Sequence, residues 1–350
     1  MKKLVDCKKT IHTCSKCGLC QSVCPIYKIT GNDCTVSRGQ FLMLQGLLDG
    51  KYKMSKTLNN YLSLCLKCSA CSKFCPSGID VVDIIALAKA EYFNKNIKEK
   101  LISIFERCII YGLLAKFLRV LGKNKKSKKF DKKVIYFGGC GNNFRGNSSV
   151  IKILNSCGIE VISPNFDCCG IPFFVRGDMK NFEYFAKSFL SIIDEYDTKE
   201  IVTTCASCEK TLKSYSKWFG ENGIVVKNIY EYIRENQLQP ELKKKYQVTF
   251  HKPCNLDNYE DIKYLLNNTQ NLEYIEAENY NECCGFGGIS NISGYKTLIN
   301  LFKKKHQNLA KTKCNTVLTS CPGCEIALKL FSFGKYRVKD FTDFLGKNTK

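Results

Sequence analysis

A chain of 350 residues with 44% hydrophobic side chains is long enough for two or three domains with real cores, and its composition excludes a disordered protein. No stretch reaches transmembrane length and the Met1-to-Cys7 start lacks the apolar run of a signal peptide, so a cytoplasmic protein is expected, in which 23 cysteines are poor disulfide material and good metal ligands. The formal net charge of +22 does not call for nucleic acid, because it counts every cysteine as neutral. Four thiolate-bound clusters would remove on the order of 8 to 10 positive charges, and the remaining basicity suits an anionic lipid surface or an acidic protein partner.

Taken in chain order, residues 14–24 read Cys14-x2-Cys17-x2-Cys20-x3-Cys24-Pro25 and residues 65–75 read Cys65-x2-Cys68-x2-Cys71-x3-Cys75-Pro76, all four pairs 51 positions apart. This is the signature of a two-cluster ferredoxin, in which three thiolates hold one cluster and the fourth reaches across to the other. One cluster would take Cys14, Cys17, Cys20 and Cys75, and the other Cys65, Cys68, Cys71 and Cys24. Zinc is the alternative for isolated Cys-x2-Cys pairs, but not for two complete four-cysteine repeats followed by proline. Apolar residues at helical spacing predict a helix from Val36 to Leu48 ending at Gly50, and a second from Val81 to Phe93 capped by Asp80. The domain is therefore expected to be helical. His12, two residues before a ligand, reads as a surface histidine or as a group tuning that cluster.

Residues 96–133 form a basic linker: an amphipathic helical stripe from Ile97 to Leu121, then a lysine run from Lys123 to Lys133. Such a segment lies on a membrane surface, docks on a subunit or packs on its own domain with a solvated charged tail.

Beyond it, two copies of one module follow. Strand-like Val134–Phe137 leads to Cys140. A helix near Ser149–Ser156, a strand near Glu160–Ser163, the pair Cys168-Cys169, a helix near Asn181–Asp194 and the strand Ile201–Thr204 lead to Cys205-x2-Cys208. The second copy runs Val248 to Cys254, a strand near Glu273–Glu276, Cys283-Cys284, a helix near Gly294–Ala310, and Thr316 to Cys321-x2-Cys324. The five cysteine offsets between copies are 114, 115, 115, 116 and 116. Even the tails correspond, Val226–Ile233 with Val338–Leu345. Alternating strands and helices predict two α/β domains whose parallel strands deliver ligands from their C-terminal ends. Gly285, Gly287 and Gly288 lack the spacing of a nucleotide loop and suit close approach of backbone N–H groups to cluster sulfurs. No flavin or nicotinamide fingerprint is present.

A helical two-cluster ferredoxin followed by two tandem cysteine-rich (CCG) domains resembles the iron–sulfur subunits of glycolate oxidase, lactate-utilisation and anaerobic glycerol-3-phosphate dehydrogenase complexes, and also heterodisulfide reductase. The resemblance covers nearly the whole chain and is weakest at 95–133. It implies an α+β multidomain chain: 1–95 ferredoxin with two [4Fe-4S] clusters, 96–133 linker, 134–245 first CCG domain, 246–350 second. It further implies that Cys140, Cys168, Cys169, Cys205 and Cys208 form one metal site and Cys254, Cys283, Cys284, Cys321 and Cys324 another. These sites would hold one or two noncubane four-iron clusters, with zinc as the alternative at one of them. Where many relatives carry a histidine near the C-terminus, this chain has Val338-Lys339-Asp340.

The resemblance implies an electron-transfer subunit that takes electrons from an FAD-containing dehydrogenase and passes them towards quinone or another acceptor, in the cytoplasm or at the cytoplasmic face of the membrane, with no nucleic-acid partner. The alternative is a catalytic heterodisulfide-reductase-like subunit, with Cys283 and Cys284 as the candidate reactive pair. Cys7, Cys34, Cys108, Cys157 and Cys314 fit no module and read as small buried hydrophobes. His251, three residues before Cys254, reads as a turn residue or a proton relay.

Overall fold

The computed structural model describes residues 2–107, 125–139, 146–288, 295–330 and 332–350. They divide into two compact units: the first holds Met1–Ser103, Pro172–Asn181 and Glu282–Lys305, and the second the rest. No helix among the described residues is long and apolar enough to cross a membrane.

Every regular element in the described part of 2–107 is helical: α1 (Leu19–Val23), α2 (Ser37–Leu48), α3 (Lys56–Ser63), α4 (Ala70–Lys73), α5 (Val81–Phe93), α6 (Ile97–Phe105), the further short helices Lys8–His12 and Pro25–Thr30, and two 3-10 turns. In α2 the predicted stripe buries Phe41 and Leu44, while Leu42 stays 55% exposed. Its end is set by Gly50, whose φ of 73° lets the Lys51 N–H reach the Gly46 carbonyl at 2.9 Å, a 6→1 closure that satisfies an orphan helix carbonyl. Helix α5 starts where expected, but the Asp80 side chain makes no cap bond. The Val81 N–H goes instead to Ser72 Oγ at 3.0 Å, tying α5 to the loop that carries the second cysteine set. Helix α5 is buried on nearly all sides, and its alanines let backbone approach. A Cβ on Gly177 would stand 2.6 Å from the Ala90 nitrogen.

The second unit contains two four-stranded sheets. Strands β1 (Lys132–Phe137), β2 (Ile159–Ile162), β3 (Glu200–Thr203) and β4 (Val225–Asn228) lie in the order β2-β1-β3-β4. Strands β5 (Glu241–Phe250), β6 (Gln270–Tyr274), β7 (Thr316–Thr319) and β8 (Arg337–Asp340) repeat it as β6-β5-β7-β8. All pairings are parallel. Helices α7 (Ser148–Ser156), α8 (Ile171–Arg176), α9 (Met179–Ile193), α10 (Ala206–Lys213) and α11 (Ile229–Glu235) belong to the first copy. The second has α12 (Glu260–Asn268), α13 (Tyr295–Ala310), α14 (Pro322–Leu330) and α15 (Phe341–Asn348). Strand β5 begins seven residues before Val248, the expected start of that strand of the second copy, and takes in a lysine run. Its early residues Lys243–Lys245 are exposed, and its register with β6 shifts between Glu241 and Tyr246.

The two copies share one hydrophobic core. Helix α7 packs on α15 and α11 on α12, so the first helix of each copy meets the last helix of the other. This reciprocity is what a pseudo-two-fold requires. At the seam Tyr230 stacks on Phe341 at 5.4 Å and receives a hydrogen bond from Thr342 Oγ1 at 3.0 Å. An aromatic pair of this kind contributes about 0.5–1.5 kcal/mol beyond the area it buries.

The basic stretch 125–131 is not helical. The Lys125 and Lys128 N–H groups donate to Asn147 and Asn155 side chains, and Ser127 Oγ accepts from the Val161 N–H. These bonds fix the backbone and leave Lys125, Lys126, Lys128 and Lys129 exposed. Most of the rest of the predicted amphipathic stripe, 108–121, lies outside the described residues.

Candidate metal-cluster sites

In the first unit the two cysteine loops share one backbone. Lys16 (φ 58°) and Gly18 (φ 84°) of the first loop correspond to Lys67 (φ 54°) and Ser69 (φ 58°) of the second. Left-handed residues at these places tighten the turns between successive cysteines. Only one of the four is glycine, so the conformation is imposed by the loop. Short helices α1 and α4, which follow these turns, pack against each other.

Cys24 leaves its own loop. Its thiol lies within electrostatic reach of Cys65 and Cys68, and burial pushes it up to about 12. Burial likewise raises Cys71, which feels Cys65, Cys68 and Cys24. Four thiols from two distant segments therefore converge, and a bound metal core would reverse the penalty on their thiolates. In the first loop, Cys17 is exposed and the Leu19 N–H holds its thiol below its ordinary value. Cys14, Cys20 and Cys75 are half-buried, and Ser77 Oγ donates to the Thr13 carbonyl at 3.3 Å, bringing the end of the second motif beside the start of the first.

In the second unit Cys168, Cys169, Cys205 and Cys208 are all buried. Cys169 is held low by hydrogen bonds from the Cys168 and Cys208 thiols, whereas bonds to Cys169 and Cys205, with burial, hold Cys208 high. Cys140 lies outside the described residues, but a Cβ on its neighbour Gly139 (φ 57°) would stand 3.0 Å from Cys208 Sγ. Cys205 and Cys208 follow β3, Cys168-Cys169 lie in the segment after β2, and in sequence Cys140 comes after β1, so all five cysteines come after the C-terminal ends of strands, the side on which open parallel sheets place ligands. Tyr215, fully buried, fixes the pair from behind by donating to the Cys169 carbonyl at 2.9 Å.

In the second copy Cys321 is held low by hydrogen bonds from the Cys205 and Cys324 thiols, and Cys254 is half-buried. Cys283 and Cys284, both buried, belong to the first unit. The Gly285 N–H lies 3.4 Å from Cys283 Sγ, as the Gly170 N–H does from Cys168 Sγ. The glycine after each Cys-Cys pair thus aims its N–H at the first sulfur.

The contact between Cys205 and Cys321 was not legible in the sequence. The two Cys-x2-Cys turns abut across the pseudo-two-fold, with the Ala206 N–H donating to the Ser320 carbonyl at 3.1 Å and Ser207 Oγ 3.6 Å from Cys321 Sγ. The bond is one-sided, because the residue equivalent to Ala206 is Pro322, which has no N–H. A second missed feature is the glutamate after each turn. Glu209 and Glu325 are both buried and each pairs with a lysine one turn on, Lys213 at 2.7 Å and Lys329 at 2.6 Å. Asn228 donates to Glu209 at 2.9 Å from the strand position that Asp340 occupies in the second copy.

The remaining residues divide. Cys7 and Cys314 are buried, Cys34 and Cys157 half-buried, and Cys108 lies outside the described residues. His12 is exposed, with Nε2 3.7 Å from the Asp49 carboxylate that also takes Lys8 at 2.9 Å. His251 is wholly buried just past β5. Its N–H donates to the Leu318 carbonyl at 2.8 Å and its own carbonyl accepts from Thr319 Oγ1 at 3.2 Å.

A family model described as a 4Fe-4S dicluster domain matches residues 10–79, and one described as a cysteine-rich domain matches twice, over 134–213 and 248–329. The chain is 24% identical to the probable glycolate oxidase iron–sulfur subunit of Bacillus subtilis, covering 91% of this chain and 88% of that protein. It is 27% identical to one subunit of the fumarate reductase (CoM/CoB) of Methanothermobacter marburgensis, covering 92% and 68%. To one subunit of the dihydromethanophenazine:CoB–CoM heterodisulfide reductase of Methanosarcina acetivorans it is 21% identical, covering 90% and 87%. The matched domains and these relatives support iron–sulfur cluster binding.

Proposed function

The chain belongs to the CCG-domain iron–sulfur oxidoreductase family, and from that premise we propose that it is the electron-transfer subunit of a flavin-dependent dehydrogenase complex. The partner would be an FAD-containing subunit that oxidises a 2-hydroxy acid such as glycolate or lactate, or glycerol-3-phosphate, and the electrons would pass towards quinone. The observation that carries the reading is the convergence of Cys24 on Cys65, Cys68 and Cys71. That arrangement suits two cubane clusters with crossed ligation, the second held by these four thiolates and the first by Cys14, Cys17, Cys20 and Cys75.

A cluster supplies one-electron storage without bond changes in the substrate. The chain's own residues hold it, shield it and aim N–H groups at it. Cys168, Cys169, Cys205 and Cys208, with Cys140, would hold a further site, and Cys254, Cys283, Cys284, Cys321 and Cys324 another, each four-iron or, at one of them, zinc. The direct contact of Cys205 with Cys321 suits passage of electrons between these two sites.

A second reading, a catalytic disulfide reductase with Cys283 and Cys284 at its centre, is favoured by the relatives named for CoM and CoB. Cys284→Ser separates the two. For an electron relay, the variant stops flow from the partner flavoprotein to a quinone analogue while substrate still reduces the flavin. The wild-type chain alone then reduces no small disulfide with a low-potential dye as donor. A Cys284-dependent disulfide reductase rate in the isolated chain would overturn the relay.

A further inference from the structure

The two cysteine loops of the first unit place the same residue at the same strained position and treat it oppositely. Lys16 and Lys67 both sit two residues after the first cysteine, with φ of 58° and 54°. Lys16 is exposed; Lys67 is 5% exposed, and its Nζ finds no oxygen acceptor among the described residues. Beside it lies Lys89 of α5, 4% exposed, whose Nζ donates to the Val175 carbonyl at 2.9 Å. The charged groups facing each lysine are the other lysine, Cys65 and the Arg176 guanidinium. Neither lysine forms a salt bridge with a carboxylate among the described residues.

An ammonium group buried this way is costly unless an anion meets it, and burial accordingly pushes both lysines below the ordinary lysine value. A thiolate-bound cluster is such an anion. A cubane bound by four thiolates carries roughly −2, and Cys65, one of the four thiols that converge here, faces both lysines. The location is also tightly built. A Cβ on Gly287 would stand 2.4 Å from the carbonyl of Leu66, the residue before Lys67, and one on Gly177 2.6 Å from the carbonyl carbon of Lys89. The segments following both Cys-Cys-Gly motifs thus pack closely on backbone, at Leu66 beside Lys67 and at Lys89 itself.

We propose that Lys67 and Lys89 are the built-in counter-charge of the cluster held by Cys24, Cys65, Cys68 and Cys71, and that they set its potential above that of the cluster on the first loop. The inference rests on the cluster reading given above. Positive charge in a low-dielectric surrounding favours the more negative, reduced cluster, whereas the solvated Lys16 is screened from its own loop. The more positive cluster then sits at the loop against which the post-motif segments are packed.

The test uses the full-length chain, reconstituted anaerobically and titrated electrochemically with electron paramagnetic resonance as readout. Lys67→Met and Lys89→Met should each lower the reduced-to-oxidised ratio of the Cys24-dependent cluster by about tenfold at fixed potential, or about 59 mV for a one-electron couple. The other cluster, and Lys16→Met, should stay at the wild-type midpoint. Unchanged or raised midpoints in Lys67→Met and Lys89→Met would overturn the proposal. Should Lys67→Met not retain the cluster, Lys67→Arg, which keeps the charge, decides. Iron retained by the arginine variant and lost by the methionine one supports a counter-charge, and equal loss from both overturns it. A wild-type chain that takes up no iron removes the cluster reading itself.

Discussion

Gly287→Ala adds a single methyl group where the backbone leaves no room for it. The new Cβ would stand 2.4 Å from the Leu66 carbonyl oxygen, against a floor of 3.0 Å for real Cβ contacts, so one of two backbones must move by 0.6 Å or more. Neither is a flexible side-chain end. Leu66 lies between Cys65 and Lys67, and Gly287 is three residues beyond Cys284, so the movement opens the cluster-holding loop or displaces the segment after the second Cys-Cys pair. Overpacking of this kind costs about 1–3 kcal/mol. Gly287 has no positive φ, so the whole effect is steric. Gly31→Ala is the matched control: its φ is 60° but nothing lies within 4 Å of a Cβ there, so it carries backbone strain alone. Thermal unfolding of the anaerobic holoprotein, with iron release to a chelator followed in parallel, reads both effects. Gly287→Ala should lower the midpoint and speed iron release, and Gly31→Ala should release iron at the wild-type rate. A Gly287→Ala protein indistinguishable from wild type in both measurements would refute the close packing of these segments.

Cys24→Ser should perturb the paramagnetic signal of the cluster on Cys65, Cys68 and Cys71; alteration of only the cluster beside it in sequence would show that ligation is not crossed. Replacing Lys125, Lys126, Lys128 and Lys129 by Glu should release the chain from anionic vesicles, since loss of four lysines at about 1 kcal/mol each already weakens binding roughly a thousandfold; unchanged partitioning would leave them a solvated face. His306 is buried, with Nδ1 2.9 Å from Tyr336 Oη, and burial holds its pKa below the ordinary 6.5. The unfolded chain then binds the proton more tightly, so stability should fall as pH drops through that ordinary value and recover above it. His306→Gln should flatten that dependence in thermal unfolding from pH 5.5 to 7.5, and an unaltered slope would place its origin elsewhere.

The parts of this molecule that could be read from sequence are those written by short spacing or by repetition. The 51-residue offset of the two cysteine runs carried over into matching left-handed residues, Lys16 with Lys67 and Gly18 with Ser69, because loops that present the same thiols need the same backbone. The near-constant offset of the second repeat likewise carried over into two sheets of identical order. What stayed hidden depends on partners distant in sequence. Asp80 has the right identity and position for a helix cap, yet Ser72 supplies the bond, because the Cys71 loop passes the start of α5. The early half of β5 is masked by the exposed Lys243–Lys245, although Glu241 before them and Tyr246 after them pair with β6.

Repetition also shows where the two halves stop being equivalent. Equivalent positions hold Ala206 and Pro322, so only one N–H crosses between the Cys-x2-Cys turns. Asn228 and Asp340 occupy the same strand register, and the first is an amide that donates to Glu209 while the second is a carboxylate that caps α15 through the Asp343 N–H at 3.1 Å. Lys16 and Lys67 share a conformation but not an environment. A chain of identical centres at identical potentials would give electrons no preferred direction. Duplicated loops made unequal by one proline, one carboxylate and one buried lysine supply the means to rank them, and each inequality is a single side chain that can be exchanged between the copies.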